Sequence, residues 1–191
     1  MSGAPAIGST LSVVRAVVMR EAGGPEVLRL EEVADPQPGA GEVLVRVEAV
    51  GINHVDLSRR AGGADTFPTI LGYDAAGRRK DTGERVLVTS TPGTYAELVA
   101  AKEENIFAIP DSLDVAAAAA IGVPYKTAWW SLVDLGGLKK GDTLLVQGAI
   151  DRHGTSLRRH RPVARGNGVC DVPGRQARQS ARAWRRGTRV R

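Results

Sequence analysis

The chain has 191 residues, with 26 basic against 21 acidic side chains, a net charge of +5 and one cysteine. The single Cys170 excludes an internal disulfide framework and a cysteine-rich metal site, and the longest apolar run, Val115 to Val123, is too short to span a bilayer. The average charge hides a break near Ile150: residues 151–191 hold 12 Arg, no Lys, and only Asp151 and Asp171 as acids, so the first 150 residues are net −5 and the remainder net +10. The N-terminus lacks the basic and apolar regions of a signal peptide, and the cysteine usage fits a reducing compartment, so a cytoplasmic location is expected.

Residues 1–13 are small and polar and read as a disordered leader. Val14 to Met19 is an apolar strand; Gly23-Gly24-Pro25 breaks it, and Val27 to Val33 supplies a second. Val43, Val45, Val47 and Ala49 fall on one face of a third strand, with Arg46 and Glu48 on the other. Strands are expected at Arg85 to Thr89, Tyr95 to Ala101 and Ile106 to Ile109, a pattern of tight turns and antiparallel β that suits a small barrel.

After Pro110 the pattern changes. Ser112 and Asp114 are caps for a short helix through the alanine stretch to Ile121. Pro124 suits the first turn of a second helix carrying Tyr125 to Leu135, which Gly136-Gly137 stops. Thr143 to Gln147 is an apolar strand without alternation, as in a parallel sheet buried on both faces, and it leads into Gly148-Ala149. A β-barrel, then helices, then a buried strand and a glycine turn announce a nucleotide-binding domain. The fold class expected is mainly β with α.

Ordered text carries a resemblance. Gly23 to Leu28 (GGPEVL), Gly39 to Val47 (GAGEVLVRV), Gly51 to Asp56 (GINHVD), Gly72 to Gly77 (GYDAAG), Gly93 to Glu97 (GTYAE), Val123 to Ala128 (VPYKTA) and Leu138 to Gly148 follow in that order. Over about Val14 to Ala149 the chain resembles the zinc-independent quinone oxidoreductases of the medium-chain dehydrogenase/reductase superfamily. The resemblance implies a GroES-like barrel over 14–141, the first strand alone of a Rossmann domain over 142–150, NADPH as hydride donor, and a quinone or enone acceptor. It places Asn53 beside the nicotinamide, Thr127 on the cofactor from the helix leading into the Rossmann domain, Gly148 and Ala149 in the cofactor loop and, less directly, Asp56 and Tyr73 in the same site.

The residues themselves leave a plainer alternative open at each position. Asn53 suits a strand-end turn, Thr127 an ordinary helix position, and Tyr73 and Asp74 barrel packing with a hydrogen bond. His54 reads as a surface or packing histidine. Trp129 and Trp130 are expected to pack at least one ring against the barrel.

Zinc-dependent relatives place Cys where this chain has Asn53, and Gly-His-Glu where it has Gly72-Tyr73-Asp74. An amide, a phenol and a carboxylate make a poor zinc set, so no metal is expected. Two departures lie within the body. Gly77 to Gly83 is shorter than the hairpin of most relatives, and Leu57-Ser58-Arg59 follows Asp56 where relatives often carry a tyrosine.

The cofactor loop is the largest departure. Relatives continue Gly-Ala-Ser-x-Gly-x-Gly, whose glycines let the backbone approach the pyrophosphate. Here Gly148-Ala149 is followed by Ile150-Asp151-Arg152-His153-Gly154. Written as ATC, GAC, CGG, CAC and GGG and read one base later, these codons give Ser-Thr-Gly-Thr and then Gly or Ala, which joined to Gly148-Ala149 is the family fingerprint. The same shift over His160 to Val172 permits Ile-Ala-Arg-Ser-Leu-Gly-Ala-Thr-Val-Tyr-Ala-Thr-Ser, a helix end, its glycine stop and a second strand. Residues 151–191 are therefore expected to be an out-of-frame, disordered Arg-rich tail, with the strand at Thr143 left without sheet partners and the family homodimer surface missing. Met1 to Val13 precede the family pattern, and an alternative start at Val14 is expected.

Two function classes remain at this stage. One is a quinone oxidoreductase-type enzyme, inactive in this form, acting on a small-molecule acceptor with no membrane or specific nucleic-acid partner. The other is a non-catalytic barrel whose basic tail holds nucleic acid or other polyanions non-specifically.

Overall fold

The computed structural model describes residues 12–64, 66–139, 142–146 and 167–170. The expected leader therefore lies almost wholly outside the described residues, as do Gly148, Ala149 and all of the Arg-rich tail except 167–170. The chain divides into two compact units, one ending at Ala120 and the other beginning at Ile121.

The first unit is a curled pair of antiparallel sheets. Strands β1 (Val13–Met19), β2 (Leu28–Ala34) and β4 (Thr69–Ile70) form a three-stranded sheet in the order β2-β1-β4. Strands β3 (Glu42–Gly51), β5 (Asp74–Arg79), β6 (Arg85–Val88), β7 (Leu98–Lys102) and β8 (Ile106–Ala108) form the other, in the order β7-β3-β5-β6-β8. A bridge between Ala16 and Ala96 ties the sheets together. The outer edge of β2 has no strand partner among the described residues, and Leu30 of β2 joins β1, β3 and Tyr95 to Glu97 in lining an open, mostly apolar groove of about 470 Å³.

The alternation in β3 appears as expected. Val45 is fully buried and Val43, Val47 and Ala49 are partly so, while Arg46 and Glu48 are exposed. On one face of the sheet Val45, Ala75, Val86, Val88, Val99 and Ala101 form the main core. On the other, Ala76 and Ile109 pack with Ala118 and Ala119 of α2 (Val115–Ala119). The Asp114 carboxylate caps that helix, accepting from the Ala117 N–H at 2.9 Å.

Strand β5 lies between these two cores, and its neighbouring Ala75 and Ala76 serve one each. Small residues are required there because backbones come close. A Cβ on Gly77 would meet the Arg46 carbonyl oxygen, where β3 carries a register irregularity between Val47 and Ala49. A Cβ on Gly51 would meet the Ala119 carbonyl oxygen of α2. The shortened hairpin between β5 and β6 closes: Gly83, at φ +74°, donates to the Arg79 carbonyl at 3.0 Å.

In the second unit, α3 (Gly122–Trp129) continues into a wider π-type turn over Trp130–Leu135, and Gly136 and Gly137 end it as expected. Trp129 and Trp130 are 40% and 53% exposed. Asp142, which donates to the Lys139 carbonyl at 3.2 Å, precedes β9 (Thr143–Val146), whose partner corrects another expectation. β9 pairs in parallel with β10 (Asn167–Cys170), inside the region read as a structureless tail. Four residues beginning Asn-Gly are too short to show a strand period, and for that reason the sequence hid them. No helix among the described residues is long and apolar enough to cross a membrane.

Candidate functional site

One end of the five-stranded sheet gathers buried polar groups. Strand β3 ends at Gly51, and Asn53 follows in extended conformation as the N-cap of α1 (His54–Ser58). Asp56, at the third helical position, turns its carboxylate back onto the Asn53 backbone N–H at 2.7 Å, and the two residues form a capping box. The same carboxylate accepts from the Gly72 N–H at 3.2 Å and the Tyr95 hydroxyl at 3.0 Å. Asp56 is only 2% exposed, and these three donors are neutral.

Asp74, at the start of β5, is fully buried. Its Oδ1 accepts from the Thr89 hydroxyl at 2.7 Å and its Oδ2 from Asn53 Nδ2 at 2.9 Å. Asn53, itself 6% exposed, thus joins the two buried carboxylates, meeting Asp56 through its backbone and Asp74 through its side chain. Thr94 donates its hydroxyl to the Asp74 carbonyl at 3.2 Å.

Unusual backbone encloses this cluster. Gly72 lies at φ +98° and Ser90 at φ +56°, a left-handed conformation that non-glycine residues seldom adopt. A Cβ on Gly72 would strike the Thr94 hydroxyl and the Tyr95 ring. The segment Leu71 to Tyr73 is laced to the loop before β7 by Tyr95 N–H to Leu71 O (3.0 Å), Gly93 N–H to Gly72 O (3.1 Å) and Thr91 N–H to Tyr73 O (3.2 Å). Buried carboxylates, positive-φ residues and a capped helix start at one sheet end are the kind of local strain and desolvation that collect at functional sites.

Of the residues singled out from sequence, Asn53 and Asp56 meet directly. Tyr73 sits between Gly72 and Asp74, with its backbone carbonyl in the same lattice and its side chain half-buried. His54 is exposed. Thr127 lies in the other unit, on α3, where its hydroxyl donates to the Val123 carbonyl at 2.7 Å. Thr89, Thr94 and Tyr95 were missed as site residues, whereas Asp74, expected as barrel packing with a hydrogen bond, is buried and accepts two from side chains. The signal for Asp74 was present, since an acid in front of two alanines in a buried strand needs partners. Among the described residues no group of three or more His, Cys, Asp or Glu is placed to hold a metal ion.

Comparison with known proteins agrees with this architecture. Residues 39–111 match the alcohol dehydrogenase GroES-like domain. This defines the class: a GroES-like β-domain of the alcohol dehydrogenase type. The chain is 40% identical over 151 residues to the quinone oxidoreductase of Lama guanicoe and 37% identical over 153 residues to the human enzyme of that name. Each match covers 72% of this chain and 46% of the relative, so the chain spans about half the length of the curated relatives it matches.

Among solved structures it is similar to a Pseudomonas syringae quinone oxidoreductase, with TM-score 0.79 and 26% identity over 89% of this chain and 56% of that one. A mycobacterial protein solved with NADPH gives TM-score 0.78 and 27% identity, over 88% and 56%. The chain belongs to the quinone oxidoreductase-like family of the medium-chain dehydrogenase/reductase superfamily.

Proposed function

We propose that this chain carries the barrel half of an NADPH-dependent quinone oxidoreductase-type site, and that the 191-residue chain itself does not turn over. The observation that carries the reading is the Asn53–Asp56–Asp74 cluster, built from the segments that carry the family resemblance. When bound, NADPH supplies a hydride from its nicotinamide ring to a quinone or enone, with solvent or a nearby polar group delivering the proton. Asn53, and less directly Asp56 and Tyr73, hold the nicotinamide side. By the family resemblance, Thr127, Gly148 and Ala149 are assigned to the same cofactor.

The site fits a cofactor of that kind because its polar groups are fixed before any ligand arrives. It does not suit zinc. Asn53 turns its amide nitrogen onto the Asp74 carboxylate, so one of the two carboxylates is already engaged as a hydrogen-bond acceptor, and an amide contributes no thiolate or imidazole. Inactivity of the chain follows from residues 150–154: Ile150 and Arg152 place bulk where glycine must let the backbone reach a pyrophosphate.

Purified 191-residue protein mixed with NADPH and a simple quinone is expected to show no NADPH oxidation above buffer, and turnover would refute the inactive reading. The gene read through codon 150 is expected to continue the dehydrogenase pattern one base later; early stop codons there would remove the frameshift. A chain with that frame restored is expected to oxidise NADPH with quinones, and its failure to do so would remove the proposed activity.

A further inference from the structure

We infer that Asp74 is a positioning residue that locks the Asn53 side chain so that its amide carbonyl, and not its amino group, is offered to a ligand. The inference rests on the reading that Asn53 faces the nicotinamide ring.

A primary amide looks nearly the same from either end, and its two orientations exchange a donor for an acceptor. At Asn53 the ambiguity is resolved chemically. The group 2.9 Å from Asp74 Oδ2 is the Asn53 NH2, which donates to it. Asp74 is held in turn by the Thr89 hydroxyl at 2.7 Å and is fully buried. The far side of Asn53 is fixed too. The Asp56 carboxylate grips its backbone N–H, and the Asp56 N–H returns to the Asn53 carbonyl at 3.1 Å.

With Nδ2 turned inward, Oδ1 is at the α1 N-terminus, where it faces the Asp56 N–H of the capping box. A carbonyl oxygen has two lone pairs, so one remains for an incoming donor. The group that fits is an N–H, and a carboxamide NH2 on an aromatic ring supplies one. A ring bearing a ketone in place of the carboxamide has the same shape and charge but nothing to donate. The site should therefore prefer the carboxamide by one hydrogen bond, roughly fivefold in affinity.

The test uses the full 191-residue chain and two neutral probes, nicotinamide and its acetylpyridine isostere, in which a methyl group replaces the amide NH2. Saturation-transfer NMR titrations give the ratio of their affinities. The wild-type chain is expected to favour nicotinamide by roughly fivefold. In Asp74→Asn the partner can present either a donor or an acceptor, Asn53 is free to flip, and the ratio should fall to about one. Thr89→Val removes a support of Asp74 without touching Asn53, and should at least halve the ratio. It provides the reading if Asp74→Asn fails to fold. A merely structural role for Asp74 would weaken both probes equally.

Each result decides the matter. No saturation transfer to either probe in the wild-type chain removes the nicotinamide reading and this inference with it. Binding of both probes with equal affinity in the wild-type chain, or a ratio unchanged in the folded variants, overturns the inference and leaves the reading intact. A fivefold ratio that collapses in the variants supports both.

Discussion

Strand β5 carries a charged residue at each end, and the two ends treat charge in opposite ways. At its start Asp74 is wholly buried and is served by the Asn53 amide and the Thr89 hydroxyl. At its end Arg79 forms paired hydrogen bonds with both Asp81 and Glu103, each at 2.8–3.0 Å, and these carboxylates are about half exposed. The first arrangement is expensive to break, because a buried donor left alone loses its water as well as its partner. The second is geometrically neat yet sits in a medium that screens it. Hydrogen-bond lengths alone would rank the ends equal; burial ranks them.

The contrast can be broken most severely at the buried end. Asp74→Ala strands the Asn53 amide and the Thr89 hydroxyl, and is expected to cost about 4 kcal/mol in urea unfolding of the full chain, unchanged by added salt. A cost under about 1 kcal/mol would mean that water replaces the carboxylate. Midway along the strand, Gly77→Ala drives a methyl group into the Arg46 carbonyl and should cost about 3 kcal/mol, measured in the same way. Tyr95→Phe removes one of three donors to Asp56 and should cost about 2 kcal/mol, with the fold intact by circular dichroism.

The exposed end should give the smallest effect, visible in acid. Hydrogen bonds from Arg79 lower the Asp81 pKa from 3.8 to about 2. A carboxyl whose folded value is depressed contributes stability that is fully present above its ordinary value and is lost as the pH falls through the lowered one. The Asp81 carboxyl resonance should therefore titrate near 2 in the wild-type chain and move back toward 3.8 in Arg79→Gln. High salt should shrink that difference.

Legibility in the sequence followed how local the deciding interactions are. The alternation in β3 shows because one strand presents both a core face and a solvent face, and the Asp114 cap shows because cap and helix are adjacent. Strand β5 was not foreseen. Its Asp-Ala-Ala-Gly-Arg-Arg text has no β-branched residue, and it alternates nothing because both its faces are buried. The site divides in the same way. Asn53 is legible as a strand-end turn, and its partner Asp56 is only three residues on, whereas Thr89 and Tyr95 reach Asp74 and Asp56 from 15 and 39 residues away. Only the folded sheet brings them to one end. The parallel partner of β9 was hidden for another reason: β10 is too brief to leave a pattern.

The outer edge of β2, unpaired among the described residues, bears on how the protein behaves in a test tube. A strand with one unpaired side is a template for another chain, and Leu30, 66% exposed beside the apolar groove, makes that template adhesive. Arg29, Glu31 and Glu32 lie along the same strand, and charged side chains on an edge strand discourage such pairing. Glu32→Val, which removes one exposed charge from that edge, should shorten shelf life at high concentration while leaving the unfolding midpoint almost where it was.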